Sequence, residues 1–253
     1  MNSGTSELSI VVPAYNEEAR LDRTLSRVHE YFGRDPRVAN TLEIIVVDDG
    51  STDGTVRIAQ EWARTAPHGG FRLLLNERNR GKGYSVRRGM LEARGRIALF
   101  TDADLSAPIE ESEKLLAAIA AGHDIAIGSR ALDRSLISAH QSVFRETAGI
   151  IFNALVRLFI GLQLLDTQCG FKAFARDPCR IIFEQQRIEG FGFDPEVLFL
   201  AGRHGLRTAE VPVRWAHDPA TKVHVLRDSL LMFGDLMYIC WNRLLGRYPG
   251  KST

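Results

Sequence analysis

The sequence lacks the features that mark membrane-spanning and secreted proteins. No run of about 18 uninterrupted apolar residues, the length of an ordinary transmembrane helix, occurs in the 253 residues. The two longest apolar stretches, 148–165 and 230–245, are each interrupted by Asn and Arg residues, and the second also by Asp235. The first residues are polar, and no apolar segment typical of a secretory signal follows them. These absences predict a cytoplasmic protein whose membrane contact is peripheral, at the inner face.

Cysteine motifs and net charge are also scarce. The three cysteines lie far apart, with no Cys-x-x-Cys pair and no matching histidine spacing, which argues against a zinc site and a disulfide framework. The formal net charge is +1, so the chain has no overall positive field that could hold nucleic acid, and we expect no nucleic-acid partner. Hydrophobic residues make up 45% of the chain and charged residues 25%, as in a folded globular protein.

The first 130 residues alternate between two kinds of pattern. Short apolar runs with turn residues or charges at their ends predict buried strands at 8–13, 42–47, 71–75, 97–101 and 124–128. Segments with helical spacing lie between them, at 17–32, 55–64, 84–93 and 110–121. This alternation predicts an α/β fold with a mostly parallel, twisted sheet that has helices on both faces. Ligands of such sheets bind outside the carboxyl ends of the strands.

The second half of the chain has a different pattern. Long amphipathic helices are predicted there, broken by an irregular Gly-rich stretch and by a strand at 209–215. We interpret 1–223 as one catalytic domain, with 130–223 as its acceptor-side part. Residues 224–253 are predicted to form a C-terminal amphipathic helix that lies at a membrane interface.

Acidic residues follow three of the predicted strands. Glu17 comes shortly after the first strand, Asp49 directly after the second, and Asp102 and Asp104 after the fourth. A lone Asp-x-Asp is usually a solvated turn, but three acidic clusters at one sheet edge point to a binding site. Residues i and i+2 of an extended segment point to the same side, so Asp102 and Asp104 can direct two carboxylates at one Mg²⁺ or Mn²⁺ ion.

Cationic residues are predicted at the same edge. The third strand is followed by Arg-Asn-Arg-Gly-Lys-Gly, in which the glycines permit close backbone approach and Lys82 can contact a phosphate. The loop is not a Walker P-loop, and no G-x-G-x-x-G follows the first strand. Arg130 ends the fifth strand and adds another cation. A basic surface loop without function is the competing interpretation of these residues.

These segments together resemble glycosyltransferase family 2. The resemblance is carried by PAYNE (13–17), VVDDGSTDGT (46–55), RNRGKGYSVRRGM (78–90), TDADLSAP (101–108) and GSR (128–130). Four later segments resemble the branch of that family that glucosylates dolichyl (polyprenyl) phosphate: DTQCGFK (166–172), GFDPE (192–196), EVPVRW (210–215) and TKV (221–223). The resemblance implies a GT-A-type nucleotide-sugar-binding fold and an inverting, metal-dependent transfer of a hexose, with glucose from UDP-glucose favoured.

The resemblance also implies a role for individual residues. The base and ribose of the nucleotide-sugar donor would be held by Pro13, Tyr15, Glu17, Val47 and Asp49. The diphosphate and the Mg²⁺ or Mn²⁺ ion would be held by Asp102, Ala103 and Asp104. Arg130 and Lys222 would contact the diphosphate or the phosphate of the lipid acceptor.

A phosphate acceptor would simplify the chemistry. The second pKa of a phosphate monoester is about 6, so a lipid phosphate is largely dianionic at neutral pH and needs no general base. If the acceptor were a hydroxyl, Asp194 and Glu196 would be the candidate bases, although acidic residues are also common at helix N-termini. Two alternatives stay open: a mannosyltransferase that uses GDP-mannose, and a family 2 transferase that acts on a saccharide hydroxyl.

Overall fold

The computed structural model describes residues 7–65, 70–218 and 225–249. Its strands are, in chain order, β1 (Leu8–Ala14), β2 (Leu42–Asp48), β3 (Phe71–Leu75), β4 (Ile97–Thr101), β5 (Ile125–Ser129), β6 (Ile137–Ala139), β7 (Phe171–Ala175), β8 (Thr208–Pro212) and β9 (Trp215–Ala216). Its helices are α1 (Leu21–Gly33), α2 (Pro36–Ala39), α3 (Thr55–Thr65), α4 (Lys82–Glu92), α5 (Ser112–Ala120), α6 (Val143–Ile160), α7 (Arg176–Gln185), α8 (Phe193–Arg203) and α9 (Val225–Leu244).

Seven strands form one sheet in the order β3-β2-β1-β4-β7-β5-β8. The first four strands in this order are parallel, and β8 runs parallel to β5. Strand β7 lies between β4 and β5 and is antiparallel to both. The predicted α/β fold with a mostly parallel sheet is therefore confirmed. Strand β7 itself was not predicted, and it places the end of the DTQCGFK segment in the middle of the sheet.

The core consists of two layers that the sheet separates. Val11, Ile45 and Val47 face one layer, where α4, α7, α8 and α9 pack, while the alternate residues Ile10 and Val46 face the other. This alternation follows from the two-residue period of a strand, and both faces are apolar because helices cover both. The first five predicted strands are found within one residue of their predicted bounds.

Two predicted elements differ from the structure. The first helix begins at Leu21 instead of residue 17, because Asn16 has a positive φ of 54° and the backbone N–H of Glu17 donates to Thr55 Oγ1 at 2.7 Å. The chain leaving β1 is thereby held against the loop after β2 before the helix starts. The strand predicted at 209–215 is divided into β8 in the main sheet and β9, which pairs with β6.

Helices α6 and α9 pack against each other at one side of the molecule. Leu236 and Ile239 of α9 are fully buried in the core, whereas Trp241 is 60% exposed. The predicted boundary between residues 223 and 224 lies outside the described residues. No helix within 7–65, 70–218 and 225–249 is long and apolar enough to cross a bilayer.

Candidate active site

A cleft of about 480 Å³ opens at the carboxyl ends of β1, β2 and β4. We call it the first cleft. Among its lining residues are Pro13, Tyr15, Glu17, Asp49, Lys82, Asp102, Ala103 and Asp104, all of which the sequence predicted as site residues. Residues of α9, including Asp228 and Met232, also line it. The strand ends that the sequence pattern singled out therefore do converge on one cavity.

Val47 is the exception among the predicted donor-binding residues. Its side chain is fully buried in the core, against Gly89 of α4, and does not line the first cleft. It faces the core because it occupies a buried position of β2, two residues before Asp49. The structure thus gives the Val47 side chain a packing role beneath the cleft.

Asp49 shapes the loop that precedes α4. One carboxylate oxygen accepts from Asn76 Nδ2 at 2.7 Å and from the backbone N–H of Arg80 at 3.0 Å, and the other accepts from the backbone N–H of Gly81 at 2.8 Å. Gly81 has a φ of 106°, which an L side chain rarely adopts. Asp49 and Gly81 together bring Lys82 to the start of α4, at the edge of the cleft.

Lys82, Asp102 and Asp104 form the charged centre of the site. Lys82 Nζ lies 2.6 Å from Asp102 Oδ1. Burial alone would lower the pKa of Lys82, but the carboxylates of Asp102 and Asp194 hold it above its usual value. Burial, and then the charge of Asp102, raise the pKa of Asp104, whose Oδ1 accepts from the backbone N–H of Ser106 at 2.9 Å. Two carboxylates thus share a space in which one cation neutralises only part of their charge.

This arrangement fits a hard divalent cation that substrate oxygens help to coordinate. No group of three or more His, Cys, Asp or Glu side chains that could hold a metal occurs in the part of the chain that the structure describes. Mg²⁺ is commonly held by only one or two carboxylates together with substrate phosphates, so Asp102 and Asp104 supply a sufficient protein contribution.

A second cleft, of about 440 Å³, lies beside the first. Its charged lining includes Arg130, Asp194 and Arg145, and its apolar lining is contributed largely by α6 and α9: Ile151, Phe152, Leu155, Met232 and Phe233. Lys82, Asp102, Asp104, Phe191, Asp228 and Met232 line both clefts. The two cavities therefore meet at the Lys82–Asp102 ion pair.

Arg130 is held in the second cleft by Asp166. Its Nε lies 2.7 Å from Asp166 Oδ2 and its Nη2 lies 2.8 Å from Oδ1, a bidentate ion pair. The Asp166 side chain is 3% exposed and that of Arg130 is 25% exposed. Burial alone would raise the pKa of Asp166, but the charge and hydrogen bonds of Arg130 hold it below its usual value. Sequence reasoning missed this role of Asp166, although the residue lies in the segment DTQCGFK.

The two acidic residues of the GFDPE segment have different environments. Asp194 lines the second cleft and pairs with Lys172, a fully buried residue of β7. Burial raises the pKa of Asp194, although Lys172 and Lys82 oppose the increase. Glu196 is buried away from both clefts and accepts from the backbone N–H groups of Arg187 and Ile188 and from the Tyr248 hydroxyl. The structure therefore gives Glu196 a structural role, not that of a base.

The remaining predicted site residue, Lys222, lies outside the described residues. The partners Lys172 and Tyr248 were not predicted as functional neighbours. A lysine within an apolar run was the available signal for Lys172, because a fully buried lysine needs a carboxylate partner. No comparable signal marks Tyr248, since its contact joins residues 52 positions apart.

Comparison with known proteins agrees with this geometry. The family model described as Glycosyl transferase family 2 matches residues 9–183. A dolichyl-phosphate beta-glucosyltransferase of Drosophila melanogaster is 39% identical in an alignment 257 residues long, which covers 98% of this chain and 78% of the relative. The human dolichyl-phosphate beta-glucosyltransferase is 36% identical in an alignment 266 residues long, which covers 100% of this chain and 80% of the relative.

Solved structures show the same fold. Glucosyl-3-phosphoglycerate synthase from Mycobacterium tuberculosis, crystallised with Mn²⁺, UDP-glucose and phosphoglyceric acid, aligns with a TM-score of 0.64 at 19% identity. The alignment covers 93% of this chain and 80% of the synthase. At this identity the likeness establishes the GT-A fold alone. From the family model and the near full-length relatives together, the chain belongs to glycosyl transferase family 2.

Proposed function

We propose that the protein transfers glucose from UDP-glucose to a polyprenyl (dolichyl) phosphate, with inversion and with the help of Mg²⁺ or Mn²⁺. The observation that carries this proposal is the pair of clefts that meet at Lys82, Asp102 and Asp104. One cleft has the strand-end residues that suit a nucleotide-sugar, and the other combines Arg130 with apolar side chains. The dolichyl-phosphate beta-glucosyltransferases among the relatives support the same pair of substrates.

The first cleft is the proposed donor site. The base and ribose would be held at one end of this cleft by Pro13, Tyr15, Glu17 and Asp49. The diphosphate would lie beside Lys82 and Asp102. A structural neighbour was crystallised with Mn²⁺ and UDP-glucose. Asp49 already orders the loop that carries Lys82, so it would serve the donor both directly and through that loop.

Asp102 and Asp104 would hold the metal ion. When bound, the ion would supply positive charge to the leaving diphosphate. Lys82 would contribute a second positive charge at the same point, because its raised pKa keeps it protonated at neutral pH. The protein's own contribution to the reaction is therefore alignment of the two substrates and neutralisation of the charge that develops between them.

The second cleft is the proposed acceptor site. Arg130 is a fixed cation there, and the apolar residues of α6 and α9 suit the first isoprene units of a lipid. A phosphate acceptor is already ionised, so no base is required. Asp194, the residue of this cleft that was predicted as the base for a hydroxyl acceptor, is paired with Lys172. That pairing favours a phosphate over a saccharide hydroxyl as the acceptor.

The acceptor would be reached from a membrane surface. Several large apolar side chains of α6 and α9 are exposed, among them Val143, Ile150, Leu158, Leu230, Trp241 and Leu244. Arg157 and Arg243 are exposed on the same two helices. Exposed apolar and cationic side chains on amphipathic helices are typical of reversible binding at a lipid headgroup layer. We therefore propose a peripheral enzyme at the cytoplasmic face of a membrane.

A labelled-product assay tests the proposed acceptor chemistry. UDP-[¹⁴C]glucose and Mn²⁺ are incubated with the protein and either farnesyl phosphate or farnesol, and the label in the organic extract is counted. We expect label with the phosphate and none with the alcohol, because only the phosphate is an ionised nucleophile. Equal labelling of the alcohol, or labelling of a water-soluble saccharide alone, would assign the protein to hydroxyl acceptors.

A further inference from the structure

A side-chain amide of the second cleft is a hydrogen-bond donor without a partner among the described residues. The Gln168 side-chain nitrogen, Nε2, is buried and lacks an acceptor among the residues that the structure describes. Gln168 lines the second cleft together with Arg130 and Gly170, and it does not line the first. A buried amide N–H that is left unpaired is costly, which makes a ligand atom the natural acceptor for this donor.

The position of Gln168 is fixed by the same carboxylate that fixes Arg130. The backbone N–H of Gln168 donates to Asp166 Oδ1 at 3.1 Å, and Arg130 Nη2 donates to the same oxygen at 2.8 Å. Asp166 is held in turn through its backbone N–H, which donates to Glu210 Oε1 at 2.8 Å. The adjacent residue, Thr167, donates to the side-chain oxygen of an asparagine of α6 through its backbone N–H, at 3.1 Å, and through its hydroxyl, at 2.7 Å. The turn 166–168 is thus anchored to β8 and α6 before any ligand binds.

Arg130 keeps a donor of its own for the same ligand. Its Nε and Nη2 groups are used by Asp166, and its Nη1 group has no acceptor within the described residues. Arg130 Nη1 and Gln168 Nε2 are therefore a cationic and a neutral donor that Asp166 positions in the same part of the cleft. A phosphate monoester has three acceptor oxygens and needs several such donors. The carboxylates of Asp102, Asp104 and Asp194 in the same cleft would repel an anion that lacked these contacts.

We propose that Gln168 binds the acceptor, donating a hydrogen bond from Nε2 to a non-bridging oxygen of the lipid phosphate beside Arg130. The inference rests on the proposed function, which supplies the phosphate. It concerns the acceptor phosphate and not the donor diphosphate, because Gln168 lines the second cleft and does not line the first. It also explains the first three residues of the DTQCGFK segment, since Asp166 positions both donors and Gln168 supplies one of them.

The test replaces the side-chain amide of Gln168, a hydrogen-bond donor, by a carboxylate of the same shape, which can only accept hydrogen bonds. Gln168→Glu presents carboxylate oxygens to the phosphate, and Gln168→Leu removes the donor without adding charge. Gln60→Glu, at an exposed position of α3, adds the same charge far from both clefts and is the matched control. Binding of farnesyl phosphate to the full chain is measured by calorimetry in the presence of UDP and Mn²⁺, with binding of UDP measured separately. Thermal midpoints identify any variant that fails to fold.

We expect Gln168→Leu to weaken farnesyl phosphate binding about 10-fold and Gln168→Glu about 100-fold, as for a lost hydrogen bond to a charged group. UDP binding should change less than about twofold in both variants, and Gln60→Glu should match the native protein throughout. Unchanged farnesyl phosphate binding in folded Gln168→Glu would overturn the inference while leaving the proposed function intact. Equal weakening of UDP binding would assign Gln168 to the donor instead. Failure of the native protein to bind farnesyl phosphate would refute the proposed acceptor and this inference together.

Discussion

Lys82 and Asp102 form an ion pair at the point where the two clefts meet. Asp104 lies in the same space, and its pKa is raised by burial and by the charge of Asp102. Two carboxylates held together in this way repel each other unless cations neutralise them. Lys82 supplies one such cation, and the proposed metal ion with the donor diphosphate would complete the charge balance.

Removing either carboxylate charge should slow turnover strongly. We expect Asp102→Asn and Asp104→Asn each to lower kcat about 10²- to 10³-fold, because the charge that fixes the metal near the leaving diphosphate is lost while the side-chain shape is kept. Steady-state kinetics with UDP-glucose and farnesyl phosphate measure the loss. Mn²⁺ binding in the presence of UDP, followed by electron paramagnetic resonance, should weaken in parallel.

Asp133→Asn is the matched control for this substitution. Asp133 Oδ1 accepts from the backbone N–H of Ser135 at 3.0 Å, the same local contact that Asp104 makes with Ser106, but it lies outside both clefts. Its turnover should equal that of the native enzyme. Full activity of Asp104→Asn, or of native enzyme in excess EDTA, would contradict the metal assignment.

The Asp166–Arg130 pair should contribute to stability in a pH-dependent way. Asp166→Asn leaves the mostly buried Arg130 without its carboxylate, which we expect to cost about 2 kcal/mol and to lower Tm by several degrees at pH 7. Because the folded-state pKa of Asp166 is below its unfolded value, the contribution is present above about pH 4 and is lost as the pH falls through the folded pKa. Chemical unfolding from pH 7 to pH 3 measures it. A stability difference that stays constant over this range would contradict the ion pair.

Single residues differ in how far the sequence revealed them. Asp102 and Asp104 were predictable because spacing of i and i+2 after a strand is a local pattern. The partnership of Lys172 with Asp194 was not, because it joins β7 to the start of α8, two elements that the sequence analysis did not predict. Val47 was assigned to the donor by resemblance, whereas the strand period places its side chain in the core. Functional residues within one short segment could therefore be predicted from the sequence, whereas contacts between distant elements could not.

At the scale of elements, β7 is a strand that the sequence pattern alone did not predict. Its five residues are almost fully buried and run antiparallel between two parallel strands. A short apolar run of this kind can be a strand or a helix segment, and only its neighbours in the sheet decide which. The first five strands and four helices were predictable because they repeat one βαβ pattern, which β7 interrupts.

Helix α9 has apolar residues on two faces. One face of α9 joins the core through Leu236 and Ile239, and the other exposes Leu230, Trp241 and Leu244. Since the core-facing residues are already buried, the exposed apolar residues are available for another surface. The proposed surface is the lipid layer that carries the acceptor.

Negative charge added at the exposed C-terminal end of α9 should weaken membrane binding. We expect Trp241→Glu and Arg243→Glu each to reduce binding to vesicles containing anionic lipid about fivefold or more, since each Arg near such a surface contributes about 1 kcal/mol. Co-sedimentation across a salt series measures the loss. Ile181→Glu, at a partly exposed position of α7, is the matched control and should bind like the native protein. Unaltered binding of both α9 variants would show that these helices serve only the core.

A buried hydrogen bond between Tyr248 and Glu196 joins the segment after α9 to α8. Tyr248→Phe removes the hydroxyl that donates to Glu196, and we expect a loss of about 1–3 kcal/mol. Burial raises the pKa of Glu196, and the Tyr248 hydrogen bond opposes that increase, so the variant should hold the proton to higher pH. The stability of the variant should therefore fall further below that of the native protein as the pH rises through the folded-state pKa of Glu196, which lies above its unfolded value.

Denaturant unfolding between pH 4.5 and pH 8 checks this effect. Tyr238→Phe, at an exposed position of α9, is the matched control and should leave stability unchanged at every pH. A Tyr248→Phe protein as stable as the native one at pH 8 would show that Glu196 does not depend on this contact.

At the scale of the whole molecule, two clefts lie side by side at one edge of the sheet. The carboxyl ends of β1, β2 and β4 form the first cleft, while α6, α9 and the loop before β7 surround the second. The sequence predicted a mostly parallel sheet and most of the residues at the strand ends that line the first cleft. The sequence did not predict two clefts that share Lys82, Asp102 and Asp104. Residues of α9 line both clefts, and the position of α9 is set by its packing against α6 and α8, which a sequence pattern does not show.

The central claim is transfer of glucose from UDP-glucose to a lipid phosphate. The most direct test is kcat/KM for UDP-glucose and GDP-mannose with one polyprenyl phosphate acceptor, with the product extracted and its phosphodiester identified by ³¹P NMR. We predict a glucosyl phosphodiester, formed from UDP-glucose with the higher kcat/KM and lost on chelation. A higher kcat/KM for GDP-mannose would contradict the assigned donor, and a product without a sugar–phosphate bond would contradict the assigned acceptor.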